Sequence, residues 1–170
     1  MLVLGVDPGS NVTGYGLVET KANKLFCVDC GIVRAPAKAP FSHKIFHIFK
    51  ELSEMMARFE PEEMAVEDLF YAKNAKSSLK LGHARGAVFV AAVQNKVRVY
   101  EYTPLEIKKS IVGYGRATKE QVRAMVKIML KLHRDPALDT TDALAAAICH
   151  VHWQRFEKAL PKQSDGKNRR

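Results

Sequence analysis

Leu2-Val3-Leu4-Gly5-Val6-Asp7 opens the chain as a nearly all-apolar run closed by an acid. A strand this apolar is buried on both faces, which places it inside a sheet covered by helices. Pro8-Gly9-Ser10-Asn11 then reads as a turn. Thr13 to Thr20 and Leu25 to Arg34 read as two more strands of a meander, broken near Lys21-Ala22-Asn23-Lys24. Phe41, Ile45, Ile48, Phe49, Leu52, Met56 and Phe59 follow helical spacing and predict a helix from about 41 to 59, stopped by Pro61. Met64 to Val66, ending in Glu67-Asp68, predicts a fourth strand. Leu69 to Lys76 has no clear period.

Further along, Ser77 to Asn95 predicts a second long helix. Its stretch Ala87 to Val93 is apolar nearly all round, so it is either deeply buried or faces another subunit. Val97 to Tyr102 predicts a fifth strand. Thr103-Pro104-Leu105-Glu106 carries an N-cap Thr, Pro at the first helical position and Glu at the third. Thr118-Lys119-Glu120-Gln121 repeats that signature and opens a helix to about Leu132, after a flexible loop at Gly113-Tyr114-Gly115-Arg116. A last helix runs from about Leu138 to Ala159. Consecutive strands with short connections pair antiparallel, and strands separated by helices are parallel crossovers. The expectation is an α/β fold with a mixed five-stranded sheet, three antiparallel strands then parallel ones, and helices on both faces. One domain over 1–159 is expected, followed by a basic, disordered tail over 160–170.

The 170 residues hold 27 Lys and Arg against 18 Asp and Glu, a net charge of +9, which favours a polyanionic partner. Apolar residues make up 47 %, too many for a disordered chain. No apolar run approaches the ~18 residues of a membrane span. The start reads directly as strand, without a basic leader region, so a secreted or lipid-anchored protein is not expected. Three cysteines make no disulfide framework, and the expected compartment is the cytoplasm.

Four carboxylates sit in unusual places. Asp7 closes the first strand and Glu67 the fourth. Asp139 and Asp142 are three apart at the start of the last helix, so they share a face. Each has an ordinary explanation. Asp-Pro-Gly is a good turn, and acids at a helix start are favoured by its dipole. In combination they point to chemistry. If the first and fourth strands are neighbours, Asp7 meets Glu67, and the last helix has only to cross the sheet to add the other two. Converging carboxylates repel unless cations intervene. Hard ions such as Mg²⁺ or Mn²⁺ take such oxygens, and an ion pair suits in-line displacement at phosphorus.

The same residues carry a resemblance. Gly5-Val6-Asp7-Pro8-Gly9-Ser10 followed by Thr13-Gly14-Tyr15-Gly16 resembles the opening of the RuvC family of Holliday-junction resolvases. So do Val66-Glu67-Asp68-Leu69-Phe70-Tyr71-Ala72-Lys73-Asn74, then Leu79-Lys80-Leu81-Gly82-His83-Ala84-Arg85-Gly86. Lys119-Glu120-Gln121-Val122 and Asp139-Thr140-Thr141-Asp142-Ala143-Leu144-Ala145 continue it in order, over about residues 1 to 153. The resemblance implies an RNase H-like fold and a homodimer, and RuvA and RuvB branch-migration proteins as partners. It also implies symmetric paired nicking of four-way DNA junctions in homologous recombination and repair. Mg²⁺ or Mn²⁺, two ions per site, would be the cofactor, and the ends a 5′-phosphate and a 3′-hydroxyl. Asp7, Glu67, Asp139 and Asp142 fall on the family's catalytic, metal-binding positions. Asp68 is a second carboxylate beside Glu67; Glu67 is preferred because it directly follows the apolar strand. Phe70 falls on an aromatic position, and Lys108 and Lys119 on basic positions tied to DNA handling and catalysis.

Phe70 or Tyr71 would then wedge against an unstacked base, with Lys73, Lys76 and Lys80 on phosphates. Otherwise Phe70 is core and the lysines a solvated face. Lys108, Lys109, Arg116, Lys119 and Arg123 form a second basic stripe, or an ordinary helix surface. The helix Ser77 to Asn95 is the candidate dimer seam. Cys27-Val28-Asp29-Cys30 has metal-ligand spacing, but on a regular strand its two sulfurs point to opposite faces. His150 and His152 do not share a helix face and read as packing or surface residues. His133 reads as a loop residue. Three competing readings are a non-catalytic junction binder, an actin-like nucleotide-binding protein, which needs a second lobe, and an RNase H-like nuclease acting on RNA.

Overall fold

The computed structural model describes residues 1–68 and 75–159. Its sheet contains β1 (Leu2–Asp7), β2 (Val12–Lys21), β3 (Lys24–Arg34), β4 (Glu63–Glu67) and β5 (Arg98–Tyr102). The strand order is β3-β2-β1-β4-β5. The first three strands pair antiparallel, and β4 lies parallel to both β1 and β5. The five helices are α1 (Phe41–Phe59), α2 (Ala75–Gln94), α3 (Pro104–Val112), α4 (Lys119–Met129) and α5 (Leu138–Ala159). This is the expected mixed α/β architecture. Both capping boxes form, at Thr103 with Glu106 and at Thr118 with Gln121. The expected tail over 160–170 lies outside the described residues. Among the described residues no helix is long and apolar enough to cross a membrane.

The apolar run of β1 is explained by its two covered faces. Leu4 and Val6 pack with Met64 and Val66 against Ile48, Leu52 and Met56 of α1 and Val88 and Ala92 of α2. Val3 and Ala65 face the other way, against α3, α4 and α5. Helix α5 is the central element of that second layer. Residues Ala143 to Val151 are all buried, which is why its sequence shows little amphipathic contrast. One polar tie crosses this layer. His150 hydrogen-bonds Glu63 through Nε2 and Tyr102 through Nδ1, each at 2.6 Å, so it is a satisfied core histidine.

The cysteine pair differs from expectation. Leu17 pairs with Asp29, but the next residue, Val18, pairs with Cys27, so Val28 is an extra residue in the ladder. A bulge resets the alternation of side chains. Cys27 and Cys30 therefore share a face, and both pack against the α3/α4/α5 layer. The interaction of the two neighbouring thiols brings Cys30 down to about 7 and pushes Cys27 up. The regular-strand assumption fails because a bulge leaves no mark in composition.

Candidate active site

Asp7 and Glu67 meet because β1 and β4 run parallel in register. Val6 stands opposite Val66, so the next residue of each strand reaches the same end of the sheet. Asp7 also pairs with Gly14 of β2. The turn between them is pinned by buried Thr13. Its Oγ1 donates to the Gly9 carbonyl at 2.9 Å and accepts from the Gly9 N–H at 3.3 Å.

Helix α5 brings the second pair of acids across the sheet. Its first turn is held by the two threonines between them, both buried. Thr140 Oγ1 donates to the Gly31 carbonyl at 3.0 Å, and Thr141 Oγ1 donates to the Ala137 carbonyl at 2.9 Å. Asp139 and Asp142, on the adjoining face, remain half-buried. Glycines allow the helix this close. A Cβ at Gly5 would stand 1.9 Å from the Ala143 carbonyl oxygen, and one at Gly16 would stand 2.4 Å from the Leu144 side chain.

The electrostatics record the convergence. Burial pushes the Asp7 carboxyl up to about 7, helped by Asp142, Glu67 and Asp139 and opposed by Lys119. Glu67 is also raised, by burial and then by Asp142, against Lys119, Lys108 and Arg85. Lys119 sits in the first turn of α4, with Nζ 3.0 Å from Asp142 Oδ2, and that contact raises its own pKa. Glu67, Asp142, Lys108 and Lys119 line a cleft of about 50 Å³, with Ile107 and Val122 among its walls. Among the described residues no three His, Cys, Asp or Glu side chains already stand in a metal-ligand arrangement. The donor set fits a hard cation all the same. Its donors are carboxylate oxygens, and burial together with three neighbouring acids holds the Asp7 carboxyl up to about 7.

All four acids predicted from the sequence gather here, with Lys108 and Lys119 beside them. Asp68 is half-exposed and turned to Arg85, 3.6 Å away. Lys76 and Lys80 are exposed in the first turns of α2. Lys80 Nζ lies 5.9 Å from the Phe41 ring centroid, and neither lysine lines the cleft. Phe70, Tyr71 and Lys73 lie outside the described residues. His133 is exposed in the segment before α5. Two larger cavities, of about 330 and 490 Å³, lie elsewhere. One is between α3 and the end of α5, the other beside the β2–β3 turn. At about 50 Å³ the cleft at the acids is far below the ~300–1,000 Å³ of a small-molecule pocket.

Sequence reasoning missed two contributors. The roles of Gly5, Gly14 and Gly16 were not recognised; their period-2 spacing in β2 and alignment across β1 were the available signal. The other is Arg85, a lone cation in the apolar part of α2.

The family model described as crossover junction endodeoxyribonuclease RuvC matches residues 3–150. A Legionella pneumophila protein of that name is 44 % identical over 169 residues, 99 % of this chain and 97 % of that protein. One from Citrifermentans bemidjiense is 49 % identical over 152 residues, 89 % of this chain and 93 % of its own. A solved structure of T. thermophilus RuvC in complex with a Holliday junction substrate superposes with a TM-score of 0.88 at 36 % identity, covering 95 % of this chain and 99 % of that one. The yeast mitochondrial resolvase Ydc2 shares the fold, with a TM-score of 0.70 at 14 % identity and coverage of 92 % of this chain and 80 % of that one. This chain belongs to the RuvC family of crossover junction endodeoxyribonucleases.

Proposed function

We propose that the chain resolves four-way DNA junctions by nicking two symmetric strands, with divalent ions held by Asp7, Glu67, Asp139 and Asp142. The observation that carries this is the meeting of Asp7 and Glu67 across parallel β1 and β4, with α5 laid over them. Mg²⁺ or Mn²⁺, when bound, supplies Lewis acidity to the attacking and leaving oxygens at phosphorus. Asp7, Glu67, Asp139 and Asp142 are the residues that would hold the ions, with Asp7 interacting with all three of the other acids. Lys119 pairs with Asp142 and would be free to pair with a phosphate oxygen if that acid held a cation instead. Lys108 adds charge on the α3 side. The ends formed are a 5′-phosphate and a 3′-hydroxyl.

The net charge of +9 supplies affinity for the backbone without reading sequence. Phe70 or Tyr71, with Lys73, Lys76 and Lys80, is assigned to the junction centre. Symmetric cutting needs two sites, and α2 is the proposed seam of a homodimer. Its outer stripe holds Leu79, Val90 and Val93, which are 65 %, 59 % and 72 % exposed. Between them a Cβ at Gly82 or Gly86 would meet nothing within 4 Å, so a second backbone has room to approach. RuvA and RuvB are the proposed partners in the cell, in recombination and repair.

The test is a synthetic four-way junction incubated with the protein, with and without Mg²⁺, and read on a denaturing gel beside duplex DNA and an RNA–DNA hybrid. Paired nicks in opposing strands, only with Mg²⁺ and only in the junction, are expected. Preferential cutting of the hybrid would replace this reading with a ribonuclease.

A further inference from the structure

Arg85 is 7 % exposed, in the middle of an otherwise apolar stretch of α2. A buried guanidinium needs its donors satisfied, and leaving one partner unmade is costly. Its two arms reach the active-site end of the sheet. Nη1 donates to the main-chain carbonyl of Glu67 and Nη2 to the carboxylate of Glu101 on β5. Asp68 Oδ1 lies 3.6 Å from Nη2, and the Phe89 ring centroid lies 4.9 Å from Cζ. Pairing of β4 with β1 ends at Val66, one residue short of Glu67. On the other side β5 still pairs Glu67 with Tyr102, so the guanidinium adds a second hold on this strand end.

We propose that Arg85 is a positioning residue, which fixes the main chain of Glu67 at the end of β4 and ties it to α2. A planar fork can hold a carbonyl and a carboxylate together, whereas an ammonium is a single point of charge. Glu101 anchors the fork, and the Phe89 ring supports its face. One side of α2 holds Glu67 by this route while the other side carries the exposed Leu79, Val90 and Val93. The inference rests on Glu67 being a metal ligand.

The experiment compares Arg85→Met, Arg85→Lys and Glu101→Ala in the full chain. Readouts are single-turnover cleavage of a four-way junction across Mg²⁺ concentrations, junction affinity in EDTA and thermal melting. A positioning role predicts a loss of about 10- to 100-fold in cleavage for Arg85→Met, with more Mg²⁺ needed for half-maximal rate. Arg85→Lys recovers part of that loss. Glu101→Ala, which leaves Arg85 Nη2 with Asp68 Oδ1 at 3.6 Å, shows the same shift in Mg²⁺ demand in weaker form when assayed below its own melting range. Affinity in EDTA stays within about twofold, because the phosphate contacts are untouched. If Glu101→Ala and Arg85→Lys cut at parental rates with unchanged Mg²⁺ demand, the proposal is overturned, even if melting falls. Glu67→Gln is the control. Should it cut normally, the site reading fails; should it be inactive while the Arg85 and Glu101 variants are normal, only the positioning role fails.

Discussion

A methyl group on Gly14 would stand 2.0 Å from the carbonyl oxygen of Asp139. The obstacle is main chain, which cannot swing aside as a side chain does. Gly14 is also the ladder partner of Asp7. One hydrogen in place of a methyl therefore lets the helix that carries two acids settle against the strand beside a third. Gly14→Ala is expected to lower stability by about 1–3 kcal/mol or more and to cut cleavage more deeply than melting alone explains. Calorimetry with single-turnover rates below the melting range checks this.

Asp7→Asn keeps the shape of the side chain and removes one negative charge. Cleavage with Mg²⁺ should fall by at least about 100-fold, since the central ligand is gone. Junction affinity in EDTA should hold or improve, because a carboxylate no longer faces the phosphates. A gel-shift titration beside a cleavage assay separates the two effects.

The pH response follows from the direction of the Asp7 shift. Its carboxyl is raised from 3.8 to about 7 in the folded, metal-free protein. Between these values the folded chain binds more protons than the unfolded one. This contribution to stability is full below about 4 and is lost as pH rises through 7. A cation must displace that proton, so Mg²⁺ demand should climb as pH falls below 7. Melting scans from pH 4 to 8, with and without Mg²⁺, should show both trends, and Asp7→Asn should flatten them.

Lys119 lowers both Asp7 and Glu67 and pairs with Asp142. Lys119→Met should shift the acidic limb of the cleavage–pH profile upward and slow cleavage by about 10-fold or more. Junction affinity should lose about one phosphate contact from its salt dependence.

Cys30, brought down to about 7 by the neighbouring thiol, should react with iodoacetamide near neutral pH much faster than Cys27, which is pushed up. Peptide mass mapping over a time course reads the order of labelling. Cys27→Ala, which removes the neighbouring thiol that lowers Cys30, should slow the Cys30 reaction.

The strands, the five helices and the four acids were legible in the chain because each rests on local chemistry. Buried strands read as apolar runs, capping boxes have fixed offsets, and acids ending apolar strands stand out against burial. Asp139-Thr140-Thr141-Asp142 showed its shared helical face directly. Other features depend on a partner distant in sequence. The bulge at Val28 is defined only by how β3 pairs with β2. Arg85 gains meaning only when α2 meets the ends of β4 and β5.

Sequence alone determined which groups are available: acids at strand and helix ends, a surplus of cations, and a period that sorts strands from helices. Tertiary structure alone decided that these groups share a place. Sheet order is a choice among long-range pairings, and β4 inserts beside β1 across more than fifty intervening residues. Local propensity carries no information about that choice. Packing makes it, through glycines whose missing side chains matter only once a helix lies against them.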